Sequence, residues 1–279
     1  MKIAHWVAAV VIVATAAWLL DLSAGYRQDT PDDLGPWVKR QTIGVYSVTL
    51  EQLADEPEQR LVVAKTGQKA LEISSYRIYL REPEGSSVTG GRTPQLVASE
   101  WSGGAHCCFT YHIIELGASP KIIQTIEGGH SDVKFRQLDG DPAIEIELTD
   151  WAFAYWPSSF ADSPAPTVIL DWDGKSYIPS ADLMRNSAYA THRQSQPAGG
   201  TKTAIERAVD EALNLIYAGQ WQEAERVLDE TLPKSEEGQN VRRDLYQCRL
   251  QGSRWWPFIA KLNGVPATPA AEHCDKEKN

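Results

Sequence analysis

Residues 101 to 112 read WSGGAHCCFTYH. Two adjacent cysteines and two histidines in one short window are the residue types that hold a metal ion or exchange disulfides. Spacing limits the metal reading. In an extended strand His106, Cys108 and His112 share one face and Cys107 points to the other. Neighbours two apart are separated by ~6.6 Å, but Cys108 and His112 by ~13 Å, outside one coordination sphere with ligands at ~2.3 Å. His130, in EGGHSD, completes a site only if its turn folds back. The redox reading lacks the Cys-x-x-Cys spacing of thiol oxidoreductases. In an oxidising compartment the leading expectation is a disulfide between Cys107 and Cys108, with buried thiols as the alternative. Gly103 and Gly104 permit the irregular turn such a bond needs. The window is expected to be structural, and not a metalloenzyme centre.

Two further sets carry possible chemistry. Glu100 and Asp150 each precede a tryptophan, Trp101 and Trp151. A carboxylate pair, with Asp141 as a third candidate, is what glycoside hydrolysis requires. The stretch DWAFAYWPSSF, 150–160, is aromatic-rich. As a strand it sets Trp151, Phe153 and Tyr155 on one face. Core packing is the expected use of such a row, and stacking on a glycan is the alternative, with Trp101 and Trp156 as further candidates. No nucleophile elbow, phosphate loop or dinucleotide fingerprint occurs.

The chain begins with Lys2 and an apolar run from Ile3 to Leu20, ended by Asp21. A positive residue before an apolar stretch reads as an export signal. LSAG offers cleavage after Ala24, and the run is nearly long enough to span a bilayer. Residues 1–24 are therefore expected to be a signal peptide or a retained membrane anchor, and the bulk periplasmic or otherwise extracytoplasmic, held at the inner membrane if the anchor is retained. The membrane is contacted only through this segment, if it is uncleaved. A formal net charge of −10 argues against a nucleic-acid partner. The four cysteines, Cys107, Cys108, Cys248 and Cys274, are expected to form two local disulfides.

From about 35 to 190 the chain alternates short β-branched and aromatic runs with Gly, Pro, Asp and Ser. Eight such runs predict an antiparallel all-β domain. Within it VTGGRTPQLVASEW, from Val88, aligns without gaps on LDGDPAIEIELTDW, from Leu138, at an offset of 50. Each copy is a Gly-containing turn, a strand, an acid and a tryptophan; QRLVVAKTG is a candidate for a third, weaker copy. One such unit leaves an apolar face open, so neighbouring units must cover one another. The stretch QLDGDPAIE resembles the turns of FG-GAP and VCBS-type β-propeller repeats. That resemblance implies calcium ligands at Gln137, Asp139, Asp141 and Glu145. Gln137 departs from the pattern at its first position, and Pro142 stands where those repeats carry glycine. Asp139, Asp141 and Glu145 remain the metal candidates. The alternative is a turn in which Asp139 and Asp141 satisfy their own backbone. The β region is short for a full propeller, so a partial propeller or a sandwich is expected.

A polar linker is expected at 191–202, and helical periodicity from 203 to 279. Thr203 and Glu206 form a capping box, Gly219 ends the first helix and Pro233 the second. This hairpin resembles a single tetratricopeptide-type unit through Ala212, Leu215, Gly219, Trp221, Ala224 and Leu228. A third helix is expected over NVRRDLYQCRL, and Cys274 is expected to tie down the tail. The overall pattern resembles a family of uncharacterised bacterial exported proteins, which implies export and no mechanism. The expected fold class is α+β: a β-repeat domain followed by a small all-α domain. The expected function is a non-catalytic binding or interaction module for an envelope protein or glycan, without a cofactor. A glycan-acting hydrolase is the second reading.

Overall fold

The computed structural model describes residues 36–54, 56–81, 87–104, 107–186, 202–272 and 274, with the Cys107 side chain excepted. The expected signal or anchor, nearly all of the expected linker, and His106 lie outside the described residues. The chain divides into two compact units, 1–35 and 36–279, and the following concerns the second.

Among the described residues twelve strands form three four-stranded antiparallel sheets, each a meander of consecutive strands. Sheet 1 holds β1 (Trp37–Ile43), β2 (Tyr46–Gln52), β3 (Gln59–Lys65) and β4 (Gln68–Ser75). Sheet 2 holds β5 (Arg77–Arg81), β6 (Gln95–Gly104), β7 (Cys107–Leu116) and β8 (Pro120–Gly129). Sheet 3 holds β9 (Lys134–Arg136), β10 (Glu145–Thr149), β11 (Thr167–Trp172) and β12 (Tyr177–Pro179). Five helices accompany them among the described residues: α1 (Ala181–Arg185), α2 (Ala204–Tyr217), α3 (Trp221–Thr231), α4 (Glu236–Asp244) and α5 (Trp256–Asn263). A π-helical stretch, Leu245–Leu250, continues α4. The fold is α+β, with a small helical region after the sheets.

Strand alternation assigns the two faces of sheet 2 to two cores. Leu96, Ala98, Ile114 and Leu116 join Val48, Leu61 and Val63 of sheet 1. Their neighbours Val97, Tyr111 and Ile113 join Ile146, Leu148, Val168 and Leu170 of sheet 3. This second core continues into Val209, Leu213, Ile216 and Ile259 of the helices. Gln95 to Ser99 are consequently all buried, which is why the alternation in β6 is hidden by near-continuous apolarity.

The repeat at offset 50 is a real structural unit. In the first copy the Gln95 side-chain oxygen accepts from Val88 N (2.9 Å) and Thr89 N (3.3 Å). In the second the Glu145 carboxylate accepts from Leu138 N. The residue seven places along closes its own turn in both. The two turns also lie against each other: Ile144 N donates to Val88 O (2.8 Å), and Tyr177 OH reaches both Val88 O and Ile144 O. The third copy is corrected. QRLVVAKTG is the third strand of its sheet and its following turn, whereas β6 and β10 are second strands.

In the helical region Thr203 and Glu206 form the expected capping box. Gly219, at φ +73°, follows Ala218, the C-cap of α2. Cys248 and Cys274 are joined by a disulfide, as expected. Closing 26 residues contributes about 3.5 kcal/mol in the chain-entropy account. Cys108 is also disulfide-bonded.

Candidate functional site

A cleft of about 460 Å³ opens where the ends of β7, β8 and β10 meet the loop before α5. Phe109, Glu127, Asp150, Trp151, Ser253 and Arg254 are in its wall, with Cys108 beside Phe109. Asp150 ends β10. Its carboxylate caps the short 3-10 turn Trp151–Phe153 by accepting from Ala152 N (3.0 Å). It also accepts from Tyr217 OH on α2 and from the Ser253 hydroxyl. Burial and the adjacent Asp150 push the Tyr217 hydroxyl well above its ordinary pKa, so it stays a donor. Asp150 thus binds the end of sheet 3 to two parts of the helical region.

The lip of the cleft is an ion pair. Arg254 donates to the Glu127 carboxylate (2.6 Å) and to the Glu127 carbonyl (2.6 Å). Its guanidinium lies 4.8 Å from the Trp255 ring centre. Behind the cleft Trp151 stacks on Phe160 at 5.3 Å and 13°, and His130 packs edge-on to both rings.

The expected shared strand face of Trp151, Phe153 and Tyr155 does not exist. The chain turns at Trp151, so Phe153 is fully buried while Tyr155, at φ +60°, is 60% exposed. Trp156 is buried, and Arg249 lies over its ring. Trp101 is half-buried at the end of sheet 2, edge-on to Tyr76 at 5.6 Å. Glu100 is absent from the cleft wall and pairs instead with His112, whose other ring nitrogen is 3.1 Å from Thr125 Oγ1. Glu100 and Asp150 therefore do not line one site, although the repeat places them at equivalent positions.

The metal candidates divide. Asp139 and Glu145 come together, but their companion is Asp171 of β11. Asp141 instead turns back to its own loop and accepts from Ala143 N (2.7 Å), and Gln137 accepts from Asp139 N (3.1 Å) and from Gly140 N. Burial first, and neighbouring aspartates second, raise the pKa values of Glu145 and Asp171. Sequence reading missed Asp171, Glu127, Tyr217, Ser253 and Arg254. Only Asp171 left a local signal, since it stands two residues from Asp173 in LDWDG; its approach to Glu145 follows from the register that pairs Ile146 with Leu170. Glu127 lies on β8, Tyr217 on α2, and Ser253 and Arg254 in the loop before α5, with no sequence marker for the cleft.

No family model matches the chain. Over 99 residues, 34% of its length, it is 33% identical to Uncharacterized protein y4bJ of Sinorhizobium fredii. The chain covers 15% of the length of that relative.

Proposed function

We propose that this chain is an exported cell-envelope protein whose second compact unit is a non-catalytic interaction module, and that the cleft is its binding surface. The observation that carries the reading is the state of the two carboxylates in the cleft wall. Asp150 is buried and takes three hydrogen bonds, and Glu127 is paired with Arg254. Neither is poised as a general acid or as a base for an attacking water, which glycoside hydrolysis needs from two carboxylates flanking one bond. What the surface offers is an arginine, the half-buried aromatics Phe109 and Trp151, and a polar rim, the composition on which protein interfaces concentrate their binding energy. An envelope polypeptide is favoured over a glycan because a face of Trp151 that a sugar would stack on is covered by Phe160. Export is supported by Lys2 before the apolar run and by the disulfide at Cys248. Degenerate FG-GAP-type ancestry is supported by the shared turn closure of the two repeat copies.

The hydrolase alternative is separable. Purified full-length chain is incubated with protein-free cell-wall glycan, and the soluble fraction is analysed by mass spectrometry. The module releases no fragments. Fragments released by the chain and abolished by Asp150→Asn would replace this reading with the enzymatic one.

A further inference from the structure

The two repeat copies differ in one chemical respect. In the first, the Gln95 amide nitrogen donates to Thr89 Oγ1 (2.7 Å), so both ends of the turn-closing side chain are satisfied. In the second, offset 50 replaces Gln95 by Glu145 and Thr89 by Asp139. The donor has become a carboxylate oxygen, and its neighbour has become another carboxylate. A third acid, Asp171, enters from β11. One carboxylate oxygen from each lies within 4.8 Å of those of the other two. Glu145 is completely buried. Its Oε1 and the buried Oδ1 of Asp171 have no hydrogen-bond partner among the described residues.

Sheet 2 shows what is missing. The residue opposite Gln95 is Glu115, which is paired with Lys121 at 3.0 Å. The corresponding residue beside Ile146 in sheet 3 is Asp171, from the register Ile146 to Leu170. None of Asp139, Glu145 and Asp171 makes an ion pair among the described residues. Asp139 is exposed and Asp171 half-buried, but a carboxylate as buried as Glu145 is costly beside two like charges unless a cation or proton lies between them.

The geometry points to a calcium site formed by Asp139, Glu145 and Asp171 at the start of β10, the end of that strand remote from the cleft. Calcium takes oxygen ligands at 2.3–2.6 Å, so ligands across the ion are up to about 5 Å apart; magnesium, at 2.0–2.1 Å, spans only about 4 Å. The three oxygens lie close enough together to surround such an ion, and magnesium, which keeps several of its waters, is less suited to a set of protein carboxylates. The set is not the loop set implied by the repeat resemblance: Asp171 comes from another strand, Asp141 and Gln137 accept from backbone N–H groups, and Asp139, which stays in the set, also accepts from Asp141 N (3.0 Å). The ion would join the turn before β10 to β11 and so brace the two central strands of sheet 3. The inference is independent of what the cleft binds.

The test uses chelator-stripped full-length chain titrated with calcium chloride, followed by calorimetry and thermal unfolding. One equivalent binds with an affinity of about 10⁻⁴–10⁻³ M, the range of extracellular modules, and about 10 mM calcium raises Tm by a few degrees. Magnesium at the same concentration gives a smaller shift. Glu145→Gln is the decisive variant, because Gln95 shows that glutamine closes this turn. It folds, abolishes the calcium response, and melts above the chelated parent. Wild-type calcium binding in Glu145→Gln overturns the assignment. So does a parent chain with no saturable calcium binding, including one stabilised by acid alone, which would put a shared proton where the ion is placed.

Discussion

Asp150 shows how far one residue's chemistry can be read from its neighbours in sequence. Its position before Trp151, matched by Glu100 before Trp101, marks it as an acid of interest. Its work is structural, and depends on Tyr217 and Ser253, which are 67 and 103 residues away. Nothing in the local pattern signals those partners, because hydroxyls that stabilise a buried carboxylate carry no periodicity. Asp150→Ala leaves the buried Tyr217 and Ser253 hydroxyls without their acceptor, and each orphaned group costs about 1–3 kcal/mol. A loss of about 3–5 kcal/mol in urea unfolding is expected. Asp150→Asn keeps an acceptor oxygen and is expected to cost about half as much or less. Equal losses in the two variants would show that the charge, and not the acceptor geometry, is what the site uses.

Elements were legible where burial imprints a pattern. All eight segments picked for strand-type composition lie wholly or largely in strands, and Asp173-Gly174 does turn the β11–β12 hairpin, with Asp173 accepting from Lys175 N and Ser176 N. The strands that were missed, β1, most of β4 and β9, expose most of their residues. Edge strands facing water have no apolar alternation to read, and β4 is instead rich in Lys, Glu and Gln. The gapless repeat was legible because the same side-chain position closes each turn. Its packing was not. Gly90, at φ +70°, faces the backbone of Pro142, and an added Cβ would meet Pro142 C at 2.7 Å. Gly140, at φ +88°, has nothing within 4 Å of its Cβ direction. Both substitutions to alanine carry a left-handed backbone penalty of about 1–2 kcal/mol. Only Gly90→Ala adds a clash with a backbone that cannot rotate away. Chemical denaturation should therefore show Gly90→Ala losing at least about 2 kcal/mol more than Gly140→Ala. Equal losses would mean the two turns do not bear on each other as described.

At the scale of the molecule, three meanders are stacked in chain order and the helices close the outer end through the same core as sheet 3. The sequence supports that order of parts, since strand-type and helix-type periodicities occupy separate stretches. It does not disclose the cleft, which exists only because the loop at 252–254 returns to the ends of β7, β8 and β10. The central claim is that this cleft, outside the cytoplasm, holds an envelope polypeptide. Photocrosslinking in intact cells tests it most directly, with a photoreactive phenylalanine at Thr110 in the cleft and, as control, at Val45, which is 65% exposed in the turn between β1 and β2. The account predicts a protease-sensitive adduct in the envelope fraction from Thr110 and none from Val45. Adducts with cytoplasmic proteins, equal adducts from both positions, or none from Thr110 in cells where the chain is folded and abundant would contradict it.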